Sequence, residues 1–292
     1  MHDQRVNVGG IGLQIREYER NAEAAIFLHF GGANMMMWQR VVPYFKDHFR
    51  LILVDLRGHG KSDKPRWGNH IDQMARDVAG MMDYLEIDRA HVIGSSLGAE
   101  VGLSLAANSP ERVISLVCEG ALYSEYGPYG IWDGSEADFK NFVEAQLAEL
   151  RDRPEVAFPS VNALVAARRE KFEKYGWWNE TVEAFTVYDA CEIGEGKYSF
   201  STQKWSKEEY LERYYGYRFE NYYRQVKCPV LMLPDEEAQQ DERIKKAMQG
   251  LCKLVGKGKI VAVPGWVHPY GWLLEPDEMN KVVMEFLAQA GN

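Results

Sequence analysis

The chain has 292 residues, enough for one large domain or for a core with an insertion. Its net charge is −9, from 34 basic and 43 acidic residues, and it lacks both a basic run and an 18-residue apolar run, which argues against a nucleic-acid partner and a membrane span. A polar start without a signal-peptide core, and four scattered cysteines without a Cys-x-x-Cys pair, favour a cytoplasmic protein with reduced thiols.

The first part of the chain alternates between predicted strands and helices. A weak apolar alternation over residues 6–18 predicts an antiparallel hairpin at a sheet edge. Continuous apolar runs then predict buried strands, and helical spacing predicts helices between them: strands at 25–30, 51–56, 90–93 and 113–117, and helices at 38–45, 74–85 and from 101 onward. This alternation favours a mostly parallel sheet with helices on both faces.

The most informative motif follows the strand at 90–93. The sequence Gly94-Ser95-Ser96-Leu97-Gly98 lies between that strand and a helical pattern, which is the arrangement of a nucleophile elbow. In such an elbow the central serine sits on a tight, strained turn, and glycines on either side let strand and helix approach closely. The motif predicts Ser96 as a nucleophile, whereas Ser95 at the variable position is expected to serve packing.

The alternating pattern stops near residue 121 and resumes near residue 227. Residues 122–226 are dense in aromatic side chains, hold no clear buried strand and predict helices at 136–150 and 160–175. We interpret them as an inserted, mainly helical cap between two parts of a core, residues 1–121 and 227–292. The second part predicts a strand at 229–233, a helix at about 240–252, a strand at 259–263 and a last helix at 277–289.

Outside the cap, the chain resembles the α/β-hydrolase family, whose fold is a mostly parallel sheet of about eight strands flanked by helices. Four landmarks occur in the family's order: the His-Gly-type loop at 29–32, the turn at 55–62, the elbow at 94–98 and the histidine loop at 263–268. In this family the polar residues of the second landmark mainly hold loops together. We therefore expect structural roles for Asp55, Arg57 and His59.

The motif and the resemblance assign catalytic roles to several residues. Ser96 is the expected nucleophile and His268 the expected base, since the family's chain order is serine, acid, histidine. The oxyanion hole would use the backbone amides of Gly31 and Leu97. Phe30 stands where the family usually has a glycine, which leaves the shape of that loop open. The other six histidines show no metal-ligand spacing, so we expect no metal.

The acid of the triad is the least determined residue. The family's usual aspartate position after the strand at 229–233 falls on Ala238, with carboxylates around it. A turn shorter by one residue would bring Glu237 into place, and we prefer Glu237, followed by Asp235. Some relatives place the acid after the strand that precedes the cap, where Glu119 is the candidate although its register is one residue early. Loss of the acid is a further alternative.

The residues near the site suggest an apolar pocket. Phe30, Met35 and Trp266 are expected to line it, because they lie beside the oxyanion loop and His268. Together with the aromatic cap they favour a substrate with an apolar or aromatic acyl part. The simpler interpretation is that many of these aromatic residues only dock the cap on the core.

The sequence as a whole predicts a carboxylic ester hydrolase that uses a Ser-His-acid triad, an acyl-enzyme and no cofactor. Hydrolysis of a lactone or a carbon–carbon bond would use the same residues. A small-molecule receptor with little turnover is the alternative from another class, supported by the irregular acid region. The expected partner is a small-molecule substrate, and a homodimer through the cap is compatible with the sequence.

Overall fold

The computed structural model describes residues 1–290 and contains, within them, one eight-stranded sheet and one two-stranded hairpin. The strands of the sheet lie in the order β1-β2-β4-β3-β5-β6-β9-β10, and β7 pairs with β8. The strands are β1 (His2–Val8), β2 (Ile11–Tyr18), β3 (Ala24–Leu28), β4 (Arg50–Val54), β5 (Ala90–Ser95), β6 (Val113–Glu119), β7 (Ala190–Gly194), β8 (Lys197–Phe200), β9 (Val230–Met232) and β10 (Gly258–Ile260).

Twelve α-helices connect and cover these strands within the described residues. They are α1 (Val42–Phe45), α2 (Ile71–Tyr84), α3 (Leu97–Asn108), α4 (Glu136–Asp152), α5 (Val161–Glu173), α6 (Glu180–Asp189), α7 (Lys204–Tyr214), α8 (Phe219–Tyr223), α9 (Glu236–Gln240), α10 (Glu242–Cys252), α11 (Gly271–Leu274) and α12 (Asp277–Ala290). Short 3-10 helices occur at Met35–Trp38 and Pro110–Arg112. Among residues 1–290 we find no helix with the length and apolar character needed to span a bilayer.

The central strands of the sheet are buried on both faces, as their continuous apolar runs require. Along β3, Ile26 and Leu28 belong to the core under α2 and α3, while Ala25 and Phe27 belong to the core under α1 and α12. The strands β4, β3, β5, β6, β9 and β10 run parallel, and β1 and β2 form an antiparallel edge. The predicted α/β-hydrolase architecture, with about eight mostly parallel strands and helices on both faces, is confirmed.

Residues 122–226, called here the inserted segment, contribute no strand to the eight-stranded sheet in the described structure. They contain the five helices α4 to α8, and the predicted helices at 136–150 and 160–175 correspond to α4 and α5. The hairpin of β7 and β8 was not predicted. Its strands are mostly exposed or half-buried, so they lack the apolar alternation that reveals a strand in sequence.

Hydrogen bonds attach the inserted segment to the turn after β4. The Tyr188 hydroxyl donates to Asp55 Oδ2 at 2.8 Å, and the backbone N–H of Gly60 donates to Ser201 Oγ at 2.9 Å. Asp55 also accepts from the backbone N–H of Met35, at 2.7 Å, and of Lys61, at 2.8 Å. These bonds give Asp55 the loop-holding role expected from the sequence.

Candidate active site

Ser96 lies on the sharp turn between β5 and α3. Its φ of 50° and ψ of −118° are outside the regions that non-glycine residues normally occupy. This strained conformation is held by the backbone N–H of Ser96, which donates to the carbonyl of Glu119 at 2.6 Å. The strain is typical of a serine whose hydroxyl must stand clear of the sheet.

The glycines around Ser96 are required by close backbone contacts. A Cβ at Gly98 would lie 2.1 Å from the Leu28 carbonyl oxygen, and a Cβ at Gly94 would lie 2.4 Å from the Ala99 nitrogen. Gly120, with a φ of +141°, would place a Cβ 2.7 Å from the Ser96 Cα. The elbow therefore packs directly on β3 and on the end of β6.

The carboxylate of Glu119, the last residue of β6, is fully buried and collects four hydrogen-bond donors in the described structure. Ser95 Oγ donates to Oε2 at 2.5 Å, the indole N–H of Trp272 donates to the same oxygen at 3.2 Å, and that of Trp266 donates to Oε1 at 3.2 Å. The fourth donor is Nδ1 of His268, which contacts Oε1. With this set of donors the carboxylate is held in one orientation.

His268 lies in the loop between β10 and α11, with one third of its side chain exposed. Burial by itself lowers the pKa of His268, but the charge and hydrogen bond of Glu119 outweigh it, and Asp235 and Glu100 add to the effect. The net result is a pKa raised above the ordinary value. Because Nδ1 binds Glu119, Nε2 is the nitrogen left to accept a proton.

The loop after β3 lies beside the start of α3. A Cβ placed on Gly31 would lie 3.7 Å from the Leu97 side chain, so the two expected oxyanion residues are neighbours. Leu97 is the first residue of α3, where the backbone N–H has no acceptor within the helix. His29, buried and neutral, fixes the loop: its Nδ1 donates to the Phe30 carbonyl at 2.8 Å, and its Nε2 accepts from the Leu56 N–H at 3.0 Å.

Ser96 and His268 line one cavity of about 250 Å³, called here the catalytic cavity. Its wall includes main-chain and side-chain atoms from the sheet end and from the inserted segment. Besides Ser96 and His268 the lining residues are Glu100, Gly120, Ala121, Leu122, Tyr123, Tyr214, Phe219, Leu233, Asp235, Glu237, Ala238 and Ile244. The nucleophile and base predicted from sequence thus face a common space.

Among the three candidate acids, the structure brings Glu119 to His268 and not Glu237 or Asp235. Glu237 is exposed on α9 at the wall of the catalytic cavity. Asp235 is the N-cap of α9, and its Oδ1 accepts the Ala238 N–H at 2.8 Å. The preference for Glu237 is therefore corrected: the carboxylate that contacts His268 is that of Glu119, at the end of β6, while Glu237 stands on α9 at the cavity wall.

Two of the three expected pocket residues lie elsewhere. Met35 is fully buried in the core, because the 3-10 helix capped by Asn34 turns it inward. Trp266 is buried against Trp272, with ring centroids 4.9 Å apart, and its indole N–H donates a hydrogen bond to Glu119. Phe30 does line a cavity, a second one of about 220 Å³. The other aromatic residues of this aromatic cavity are Phe158, Phe172, Phe185, Phe200 and Tyr270, and Arg168 and Lys171 lie beside them.

Sequence reasoning missed the hydrogen bonds of Ser95 and Trp272 to Glu119 and the position of Glu100 in the cavity. Ser95 was expected to serve packing, and no sequence signal indicated that either side chain would meet Glu119. Glu100 had one: it is a carboxylate in the otherwise apolar first turns of a buried helix, four residues after Ser96. Four residues is one helical turn, so Glu100 had to share a face with the nucleophile's end of the helix.

The alpha/beta hydrolase fold family matches residues 25–231 of the chain, which is more than half of its length. The chain therefore belongs to this family. The match includes the loop after β3, the turn at Ser96, Glu119 and the whole inserted segment, but ends before His268.

Individual relatives are similar over parts of their length. A stretch of 198 residues is 30% identical to the dihydrolipoyllysine-residue acetyltransferase component of the acetoin cleaving system of Cupriavidus necator, covering 67% of this chain and 51% of that protein. A stretch of 89 residues is 42% identical to 3-oxoadipate enol-lactonase 2 of Acinetobacter baylyi, covering 30% of this chain and 33% of that protein. The chain thus spans between a third and a half of these curated relatives.

The fold is also similar to that of a solved structure over nearly its whole length. The crystal structure of E-2-(acetamidomethylene)succinate hydrolase matches with a TM-score of 0.76, covering 98% of this chain and 99% of that chain. The sequence identity is 23%, so this likeness concerns the fold alone.

Proposed function

We propose that the chain is a serine hydrolase that cleaves a carboxylic ester of a small apolar or aromatic substrate through an acyl-enzyme. The observation that carries the proposal is the meeting of Ser96 and His268 in one cavity, with Glu119 bound to the far side of the imidazole. The name of one relative, an enol-lactonase, supports it, since a lactone is a cyclic ester.

In the proposed mechanism the Ser96 hydroxyl attacks the substrate carbonyl carbon while His268 Nε2 takes its proton. The imidazolium that forms is stabilised by Glu119, which is held by Ser95, Trp266 and Trp272. The oxyanion of the tetrahedral intermediate accepts hydrogen bonds from the backbone amides of Gly31 and Leu97. Each such donor contributes on the order of 3–4 kcal/mol to transition-state stabilisation.

The intermediate collapses when the bond to the alcohol oxygen breaks and His268 gives its proton to the leaving alcohol. The Ser96 acyl ester remains. Water then attacks this ester with His268 as base, and the carboxylic acid leaves as Ser96 regains its proton. The balance is one ester and one water converted to one acid and one alcohol, with no cofactor needed.

We further propose that the inserted segment is the cap of this site. Tyr123, Tyr214 and Phe219, from three parts of the segment, line the catalytic cavity. The aromatic cavity beside the oxyanion loop, which joins Phe30 to residues of α5 and α6, supports an apolar or aromatic acyl part. Both cavities lie between core and cap, where this architecture places its substrates.

The alternative, a small-molecule receptor with little turnover, was supported by the irregular placement of carboxylates after β9. The contact between Glu119 and His268 supports the enzyme instead, because it offers an acid from β6 that does not depend on the region after β9. Cleavage of a carbon–carbon bond would need the same nucleophile, base and oxyanion hole. The two activities differ in the substrate that is cleaved, so substrate assays distinguish them.

The test is labelling with a fluorophosphonate probe, together with turnover of p-nitrophenyl esters. We expect the wild type to react and to turn over, and Ser96→Ala to do neither. Ser109→Ala is the matched control, since Ser109 follows the other end of α3, roughly 20 Å along the helix from Ser96. A folded wild type that neither reacts nor turns over would refute the proposed function.

A further inference from the structure

The catalytic cavity has an unusual charge for a site that holds a nucleophilic serine. Glu100, Asp235 and Glu237 contribute carboxylates to its wall. Neither lysine nor arginine is among its lining residues in the described part of the chain, and His268 is the one basic side chain there. These carboxylates make the electrostatic potential inside the cavity negative, which disfavours an anionic substrate group.

Glu100 is the innermost of these carboxylates, with only 5% of its surface exposed. It lies four residues after Ser96, so the two Cα atoms are about 6 Å apart along α3. Side chains in a helix lean toward its N-terminus, which directs Glu100 toward Ser96. Burial lowers the pKa of His268, Glu119 raises it more strongly, and the charges of Asp235 and then Glu100 add to that rise, so the Glu100 carboxylate also acts on the imidazole.

The hydrogen bonding of Glu100 is incomplete. The Tyr210 hydroxyl approaches both carboxylate oxygens, at 3.1 and 2.9 Å, but one O–H can fill only part of the four acceptor positions of a carboxylate. Within residues 1–290 Glu100 forms no ion pair, in contrast to four other buried carboxylates. Those with a basic partner are Glu17 with Arg50, Asp77 with Arg57, Asp189 with Arg168 and Glu119 with His268.

Aromatic rings complete the surroundings of this carboxylate. Tyr123, Tyr214 and Phe219 line the same cavity, and the charges of Glu100, Asp235 and Glu237 all act on Tyr123, where they add to the effect of burial in raising its pKa to about 12. Carboxylates combined with aromatic faces are the surface that binds ammonium groups, through charge and through cation–π attraction. The combination lies within reach of the reacting serine.

We propose that the catalytic cavity binds a substrate bearing a protonated amine or a quaternary ammonium group, and that Glu100 is the specificity-determining residue that receives this cation. The inference rests on the proposed function, since it concerns the substrate of the same Ser96. Asp235 and Glu237, nearer to solvent, attract the cation to the cavity. Burial raises the pKa of Glu100 to about 7, and a bound cation favours its ionised form.

The test uses esters that differ only in charge. One set shares phenylacetic acid and varies the alcohol: 2-(trimethylammonio)ethyl, its neutral isostere 3,3-dimethylbutyl, and the anionic 3-carboxy-3-methylbutyl. A second set varies the acyl group of p-nitrophenyl esters, with 4-(trimethylammonio)butanoyl against 5,5-dimethylhexanoyl. In at least one set, we expect kcat/KM for the cation to exceed that of the isostere by about tenfold or more.

Glu100→Gln is expected to reduce this cation-to-isostere ratio at least about fivefold, whatever its effect on the absolute rates. Glu285→Gln is the matched control, because it removes the same charge from an exposed position on α12 and is expected to keep the ratio. A ratio that Glu100→Gln leaves unchanged would overturn the assignment of Glu100.

The ester series measured on the wild type tests the proposal without any variant. The proposal can therefore still be refuted if the Glu100→Gln protein does not fold. Turnover of the neutral esters with no preference for the cation in either set would overturn the cation site and leave the serine hydrolase intact. Failure of every ester, together with absence of fluorophosphonate labelling, would instead refute the proposed function.

Discussion

The substitution Glu119→Gln tests whether the acid of the triad is Glu119, which contacts His268 in the structure, or Glu237, which was preferred from the sequence. The amide has almost the shape of the carboxylate but no charge, and it can accept hydrogen bonds at one atom only. Two donors now meet at each carboxylate oxygen, His268 and Trp266 at Oε1 and Ser95 and Trp272 at Oε2. Whichever way the amide turns, one pair of donors faces an NH₂ group.

The expected loss follows from the charge on His268 in the transition state. Removing one partner of a buried ion pair costs about 3–5 kcal/mol. Glu119 is fully buried, but one third of the His268 side chain is exposed, and water screens part of the interaction. We therefore take the lower part of the range, about 3–4 kcal/mol, which corresponds to a fall in kcat of roughly two to three orders of magnitude.

The assay is p-nitrophenyl ester turnover as a function of pH, with circular dichroism to verify the fold. His268 must be neutral to act as a base, so activity is lost as pH falls through its pKa. Glu119 raises that pKa, and Glu119→Gln should therefore shift the acidic limb to lower pH. Glu237→Gln is expected to cost less than about tenfold. A folded Glu119→Gln protein with nearly wild-type kcat, or a larger loss in Glu237→Gln, would refute this reasoning.

Three further predictions concern stability. Gly98→Ala should destabilise the protein by about 1–3 kcal/mol or more in urea unfolding, because the new Cβ would lie 2.1 Å from the Leu28 carbonyl oxygen, whereas Gly256→Ala, with open space around it, should be neutral. Asp77→Asn leaves the buried Arg57 without its ion-pair partner and should lower the free energy of unfolding by about 3–5 kcal/mol. The control is the exposed Asp83 of the same helix, which pairs with Arg112. Asp83→Asn should lower the free energy of unfolding by less than about 1 kcal/mol. Burial raises the pKa of Glu100 from 4.5 to about 7, so its contribution to stability is full below pH 4.5 and is lost as pH rises through 7, by about 3 kcal/mol in total. Urea unfolding at acidic and alkaline pH should show that Glu100→Gln removes this dependence and that Glu285→Gln does not; equal pH dependence in all three proteins would contradict the buried position of Glu100.

The core of the fold could be predicted because its signals are local. Each buried strand is a continuous apolar run, and the elbow adds glycines whose contacts allow no side chain, as Gly94 and Gly98 show. The hairpin of β7 and β8 could not be predicted, because it pairs mostly with itself and with Phe158 rather than with the core. Its residues therefore carry no buried face that a sequence pattern could reveal.

The acid of the proposed triad was harder to predict, because its position depends on the register between two strands that are distant in sequence. Ser95 pairs with Glu119 across the β5–β6 ladder, and nothing in either segment alone specifies that pairing. The expectation for Trp266 failed for a related reason: its hydrophobicity suggested a pocket, but its indole N–H is directed to a carboxylate 147 positions earlier. Contacts of this kind become visible only when the chain is folded.

The position of Glu119 before the inserted segment determines which parts of the chain can vary in length and sequence. Ser96 directly follows β5, Glu119 ends the adjacent strand β6, and both precede the inserted segment in the chain. Their spacing is set by main-chain pairing, so residues 122–226 could be lengthened, shortened or exchanged without moving one relative to the other. An acid after β9 would lie beyond the insertion and would have to tolerate every such change. Ser96 and Glu119 therefore form a unit that can stay the same while the inserted segment diverges or is exchanged for another.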